Sequence, residues 1–127
     1  MYKAILAVGL GGFAGSVLRY LVSRLTADIN FANLPLGTLA ANILGCFALG
    51  LLTGLFERTN SLPPELRLLL TTGMCGGFTT FSTFMGENFG MARNGQFAPL
   101  AAYLIISLAV GFALFFAGYA LSTKAVS

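Results

Sequence analysis

The sequence contains few charged residues, no histidine and only two cysteines. Charged residues make up 9% of its 127 residues and hydrophobic residues 57%, and the mean hydropathy is +0.85. This balance excludes a soluble domain and predicts an integral membrane protein. The lack of histidine removes the usual proton shuttle and the commonest metal ligand. A net charge of +3 is ordinary for a membrane protein and favours no nucleic-acid partner.

The two cysteines, Cys46 and Cys75, both lie in the middle of apolar runs. Disulfides form mainly in exported loops, and the spacing of these two residues matches no metal site. We therefore interpret both as small packing residues. No arrangement of side chains in the sequence is typical of an enzyme.

Four apolar runs predict four transmembrane helices in one domain that covers residues 1–127. The spans are predicted at residues 3–25, 34–56, 66–91 and 98–122, each near the roughly 20 residues that a helix needs to cross a bilayer. The first run is not interpreted as a signal peptide, because it is rich in glycine, runs into Arg19 and lacks a small-x-small cleavage site. The predicted fold class is an all-α, multi-pass membrane protein.

The basic residues are nearly balanced between the two predicted sides of the membrane. One side carries Lys3, Arg58, Arg67 and Lys124, and the other carries Arg24 and Arg93. Because the Lys and Arg difference between short loops sets orientation, the chain is predicted to insert both ways. A chain of this kind that must associate is most simply an antiparallel homodimer, with its two-fold axis in the membrane plane.

Small residues recur four positions apart, a spacing that lets helix backbones approach closely. The sets are Gly11 and Gly15; Gly37, Ala41 and Gly45; Gly50 and Gly54; Gly73 and Gly77; and Gly86 and Gly90. A single copy would expose these faces and its polar third span to lipid, which favours an oligomer. For the first two sets, packing inside one subunit is an alternative of equal weight.

The third predicted span is polar at its centre. Residues 73–84 include a double glycine, four hydroxyl side chains and three phenylalanines. Unpaired polar groups are costly in hydrocarbon, so this segment is predicted to line a wet cavity or to be buried in protein. We expect the helix to break near mid-membrane at Gly76 and Gly77. The carbonyl oxygens freed in two copies then form a neutral cage suited to sodium.

Phe81 and Phe84 stand three residues apart, so they are predicted to share one helical face. Ring edges are electropositive, and edges turned into a pore solvate a small anion. Lipid contact or core packing is the alternative for such a pair.

Further polar residues are predicted at membrane depth. Asn42, four residues after Thr38, offers an amide donor to an anion, and Ser107, four after Tyr103, places two hydroxyls on one face. The alternative for each is an ordinary hydrogen bond between helices.

Arg19 and Glu87 are the ionisable residues nearest the bilayer interior, where such residues are functional candidates. Arg19 is predicted to attract anions into a vestibule. Glu87 is predicted to pair with an arginine or to respond to pH.

Three motifs together resemble the Fluc (CrcB-type) fluoride channels. They are the runs at residues 11–20, 37–42 and 76–84, with the sequences GGFAGSVLRY, GTLAAN and GGFTTFSTF. The resemblance covers essentially the whole chain. It implies passive fluoride export that relieves fluoride toxicity, a location in the bacterial inner membrane, and a dual-topology homodimer that holds two antiparallel pores.

The resemblance also implies roles for individual residues. Those implied to lie along the fluoride path are Phe81, Phe84, Asn42, Tyr103 and Ser107, to which we add Thr38 and Thr83. Gly76 and Thr79 match the pair whose main-chain carbonyls hold a structural Na⁺ at the dimer interface. Arg19 matches the first-span arginine. Phe78 stands where other members often have leucine, a change that leaves main-chain ligands untouched.

Two other functions are considered. A small multidrug transporter also has four short spans, but that family depends on a carboxylate inside its first span to exchange protons for cations, and this first span has none. An accessory subunit of a larger membrane complex would explain the glycines, but not a hydroxyl-rich third span.

Overall fold

The computed structural model describes residues 1–31, 33–59 and 62–126, and within these ranges the chain is helical and contains no strand. The helices are α1 (Tyr2–Thr26), α2 (Leu36–Arg58), α3 (Pro64–Leu68), a π-helical stretch (Leu69–Cys75, the π segment), α4 (Gly76–Phe78), α5 (Phe81–Arg93) and α6 (Phe97–Val126).

In the described part of the chain, three helices are long and apolar enough to cross a membrane. They are α1, α2 and residues 97–124 of α6, with mean hydropathies of 1.7, 2.0 and 2.4. The predicted third span, residues 66–91, is instead divided among four shorter helical pieces. A total of four spans in one domain over residues 1–127 therefore stays a prediction, and positions 32, 60, 61 and 127 of that domain lie outside the described residues.

Glycine faces bring the long helices together inside the subunit. On α1, a Cβ atom added at Gly11 or Gly15 would overlap main-chain atoms of the π segment. On α2, a Cβ at Gly50 would overlap the Phe115 carbonyl of α6, and one at Gly45 would overlap the Thr79 side chain. These glycines thus have packing partners within one chain, the alternative weighed above for the first two sets. Gly86 and Gly90 differ, since a Cβ there meets nothing within 4 Å.

The backbone leaves helical geometry at Thr79 and Thr80, which we call the break. Thr79 has φ −89° and ψ 158°, and Thr80 has φ −151° and ψ 122°. Helix α5 then begins with Thr80 as its N-cap, whose hydroxyl accepts a hydrogen bond of 3.2 Å from the Thr83 N–H. One residue of the hydroxyl-rich segment, Thr80, thus caps the N-terminus of α5.

The expectation that the helix breaks at Gly76 and Gly77 was wrong in position. Gly76 has helical angles, φ −63° and ψ −39°, and Gly77 lies within α4. A glycine inside a helix costs only about 1 kcal/mol relative to alanine. Close packing requires glycine here, because a Cβ at Gly77 would lie 2.7 Å from the carbonyl oxygen of Gly12. The chain opens three residues later, where side chains from other helices hold it.

A small apolar core lies between α2, α5 and α6. Tyr103 is fully buried, and Phe84, Leu39, Leu34 and Met91 are buried around it. This core fixes the face of α5 that carries Phe84 against α6, and thereby positions the polar groups described next.

Candidate functional site

Asn42 of α2 holds the break through its side-chain amide. Its Nδ2 donates to the Thr80 carbonyl oxygen at 3.1 Å, and its Oδ1 accepts from the Thr80 N–H at 2.8 Å. The sequence predicted that Asn42 either donates to an anion or forms a hydrogen bond between helices. In the structure it forms hydrogen bonds between helices, to main-chain atoms of Thr80. One amide hydrogen of Asn42 is not used in these bonds.

Three carbonyl oxygens near the break have donors from side chains or from the main chain of the break; that of Thr80, on Asn42, is described above. Arg19 of α1 donates through Nε to the Gly77 carbonyl at 3.3 Å, and the Thr79 N–H and hydroxyl both donate to the Cys75 carbonyl, at 3.0 and 2.9 Å. Among the described residues no donor reaches the Thr79 carbonyl oxygen, and the Thr80 N–H, which a continuous helix would direct to the Gly76 carbonyl, donates to Asn42 instead. Neutral oxygens of this kind are suited to a hard cation, so the predicted sodium ligands fit that ion chemically. Arg19 itself lies beside the break, and its vestibule role stays a prediction.

The two predicted pore phenylalanines lie in different environments. Phe84 is only 7% exposed and packs on Tyr103, with ring centroids 4.9 Å apart. Phe81 is 73% exposed, and its centroid lies 6.3 Å from that of Phe84. The three rings form a row that leads from the protein surface into the core.

Glu87 joins three helices through hydroxyl groups. Its Oε1 accepts from the Tyr103 hydroxyl at 2.7 Å, and its Oε2 accepts from the Thr38 hydroxyl at 2.9 Å. Over the described residues no arginine lies in a salt bridge with this carboxylate, so the predicted pairing was wrong. A carboxylate accepts without donating, and two hydroxyl donors satisfy it without a formal counter-charge.

The remaining predicted residues are less closely connected. The buried Ser107 hydroxyl has no hydrogen-bond partner among the described residues. Thr83 is exposed near the start of α5, one helical turn before Glu87. Sequence reasoning missed Asn88, which is 7% exposed and donates through Nδ2 to the Phe84 carbonyl at 2.9 Å. An amide inside an apolar segment was the available signal for it.

Two cavities flank this row of side chains. The larger, about 630 Å³ and here called the groove, is lined mainly by apolar atoms. Its walls include Asn42, Cys46, Gly76, Thr79, Phe81, Phe84 and Ser107. The smaller, about 270 Å³ and here called the second cavity, lies where α1 ends and α2 begins, and Thr38 and Glu87 are on its wall. The groups Phe81, Phe84, Tyr103, Glu87 and Thr38 thus connect the groove with the second cavity.

A comparison with known families gives this geometry a context. The model of the family described as CrcB-like protein, Camphor Resistance (CrcB), matches residues 6–119. The chain belongs to the CrcB family. The match includes Arg19, Asn42, the break and the whole row from Phe81 to Thr38.

Curated relatives carry a more specific name. The protein from Chlorobaculum tepidum is 50% identical over 116 residues, which is 91% of each chain. That from Azobacteroides pseudotrichonymphae is 44% identical over 122 residues, 96% of this chain and 98% of its own, and that from Serratia proteamaculans is 46% identical over 109 residues, 86% and 85%. All three are named fluoride-specific ion channel FluC.

CrcB membership and the apolar helices together make this chain a multi-pass membrane protein. The relatives are named as ion channels, which are not enzymes. The small multidrug transporter alternative receives no support from the comparisons.

Proposed function

We propose that this chain is a fluoride-selective channel that lets fluoride leave the cell passively across the bacterial inner membrane and so relieves fluoride toxicity. The observation that carries the proposal is the identity of up to 50%, over nine-tenths of the chain, with relatives named fluoride-specific channels. The groove wall supports it, since the rings of Phe81 and Phe84 and the Ser107 hydroxyl, which has no partner among the described residues, offer a small anion ring edges and a donor.

The working unit is an antiparallel homodimer in which each chain contributes four spans, the third broken near the bilayer midplane. The open groove and the 73% exposed Phe81 support this arrangement, because a second copy would cover both. Gly86 and Gly90 have free space around them that another helix can fill. The nearly balanced basic residues provide for insertion both ways. Two such copies enclose two antiparallel pores.

The Gly76 and Thr79 carbonyls of both copies hold a structural Na⁺ at the dimer interface. Both residues line the groove, the Thr79 carbonyl has no donor among the described residues, and the Gly76 carbonyl has lost its helical donor, the Thr80 N–H, to Asn42. The ion supplies a fixed positive charge that offsets the clustered oxygens and ties the two copies together.

Selectivity follows from the size and hydration of the ions. Fluoride is small and strongly hydrated, so a narrow path must replace its water with donors and ring edges. The Ser107 hydroxyl, the spare Asn42 hydrogen and the edges of Phe81 and Phe84 supply these without a full positive charge. Binding therefore stays loose enough for fluoride to leave, and a rigid narrow path excludes the larger chloride.

The proposal is tested by ion efflux from liposomes that contain the purified protein. Fluoride is expected to leave rapidly and chloride to stay, with no need for a proton gradient. Equal release of both ions would contradict a fluoride-selective channel. Dependence on a proton gradient would favour a coupled transporter, and a protein that is stable only with other subunits would favour the accessory role.

A further inference from the structure

The hydrogen bond between the Thr80 N–H and Asn42 changes the bonding of the preceding turn. In an uninterrupted α-helix the N–H of residue i bonds to the carbonyl of residue i−4, so the Thr80 N–H would bond to Gly76. Here that N–H donates to Asn42 Oδ1 at 2.8 Å. The Gly76 carbonyl therefore loses its helical donor, and Gly76 lies on the wall of the groove.

The same bond also orients the neighbouring carbonyl. The Thr80 N–H and the Thr79 C=O belong to one planar peptide unit, and in a trans peptide these two groups point in opposite directions. The described residues contain no cis peptide bond. Because the N–H points to Asn42 on α2, the Thr79 C=O points away from Asn42.

The other carbonyl groups around the break either accept hydrogen bonds or belong to a residue that does not line the groove. Those of Cys75, Gly77 and Thr80 accept from Thr79, Arg19 and Asn42 respectively. The Phe78 carbonyl is not a candidate, because Phe78 does not line the groove. Gly76 and Thr79 are therefore the two residues that combine an open carbonyl with a position on the groove wall.

We infer that Asn42 is a positioning residue that creates the cation site, because its Oδ1 takes the Thr80 N–H and thereby opens the Gly76 carbonyl and directs the Thr79 carbonyl. The inference rests on the proposed function, which places Na⁺ on these two carbonyls. It assigns to the Asn42 side chain a task distinct from contact with fluoride, since its acceptor oxygen and one donor hydrogen are engaged with Thr80.

The test measures sodium binding without measuring fluoride flux. The purified protein is heated in detergent and its helix content is followed by circular dichroism, with sodium chloride exchanged stepwise for N-methylglucamine chloride at constant ionic strength. A cation that binds only the folded protein raises the midpoint of unfolding as its concentration rises. The wild type is expected to respond in this way.

Two substitutions at Asn42 separate its roles. Asn42→Leu keeps the approximate shape but removes the acceptor, and it should weaken the apparent sodium affinity by about tenfold, the scale of one hydrogen bond. Asn42→Asp keeps an acceptor for the Thr80 N–H and should retain the sodium response. Asn88→Leu is the matched control, because Asn88 is a buried asparagine bound to a main-chain carbonyl within α5. It should respond as the wild type does.

The outcomes separate the inference from the proposed function. A wild type that ignores sodium would overturn the sodium site itself. A wild type that responds, together with an Asn42→Leu variant that responds equally, would overturn the inference alone. If Asn42→Leu cannot be obtained folded, Asn42→Ala decides, because it also removes the acceptor, and an unchanged sodium response in it would overturn the inference.

Discussion

The hydroxyl group of the fully buried Tyr103 donates a hydrogen bond of 2.7 Å to Oε1 of Glu87. This bond connects α6 with α5, and the Thr38 hydroxyl extends the connection to α2. The carboxylate accepts the single hydrogen of each of these two hydroxyl groups, and its orientation depends on them.

Removal of this hydroxyl should weaken both the fold and the flux. Tyr103→Phe leaves one Glu87 oxygen without its donor, which should destabilise the protein by about 1–3 kcal/mol and slow fluoride efflux. Thermal unfolding and liposome efflux are the measurements. Tyr119→Phe is the control, because that hydroxyl also bonds to a glutamate, Glu57, but at an exposed site. Equal effects of the two substitutions would contradict a special role for the Tyr103 bond.

Substitution of the two pore phenylalanines should affect the stability of the protein differently but should reduce fluoride flux in both cases. Phe84→Ile removes a ring from the stack on Tyr103 and should destabilise the chain by about 1 kcal/mol through the lost aromatic pair. Phe81→Ile changes an exposed ring and should leave the stability of the subunit unchanged. Both should sharply reduce fluoride efflux while the dimer stays intact in size-exclusion chromatography. Phe112→Ile, at a ring 77% exposed on α6, serves as the control. Undiminished flux in both variants would remove the rings from the mechanism.

Close packing of α1 on the π segment should be sensitive to a single methyl group. A Cβ at Gly15 overlaps the Met74 carbonyl, so Gly15→Ala should destabilise the fold by about 1–3 kcal/mol. At Gly9, on the same helix, nothing lies within 4 Å. Gly9→Ala should therefore be neutral or should stabilise the protein by about 0.5–1 kcal/mol, because alanine favours a helix. Thermal unfolding of the pair measures the contrast, and similar midpoints would exclude the close contact.

Dual insertion should be visible by cysteine labelling. In a Cys46→Ala, Cys75→Ala background, Asn94→Cys places one thiol between α5 and α6. Because the basic residues are nearly balanced, a membrane-impermeant reagent should label about half of the molecules from each side. Moving the charge balance, for example with Arg24→Gln, should shift the labelled fraction. Labelling from one side alone in the background protein would rule out an antiparallel dimer.

The long apolar helices could be predicted from the sequence. A run of about 20 apolar residues in hydrocarbon must satisfy its own backbone, and a helix is the local way to do so. Three predicted spans accordingly correspond to α1, α2 and α6. The glycine faces of the helices could also be predicted from the spacing of the glycines. The helices that pack on these faces could not be predicted, because periodicity identifies a face of a helix but not its partner.

The position of the break depended on contacts distant in sequence. Local propensity favoured Gly76 and Gly77, whereas the chain opens at Thr79 and Thr80, where Asn42, 38 residues away, bonds to the main chain. The partners of Glu87 were missed for a similar reason. A carboxylate in an apolar segment suggests an arginine partner. In the structure two hydroxyl groups on separate helices donate hydrogen bonds to the carboxylate without adding a positive charge.

The π segment at Leu69–Cys75 makes the helix before the break respond differently to the loss and to the gain of one residue. A π-helical turn holds more residues than an α-helical turn, so deletion of one residue there would let the backbone relax to ordinary α-helical bonding. Each residue of an α-helix turns the chain by about 100°. The deletion would therefore leave Gly76 and Phe81 near their present facing, because the π segment already accommodates one extra residue, whereas one further residue would turn both away from the groove. Insertions in this stretch should accordingly be far less tolerated than deletion of a single residue.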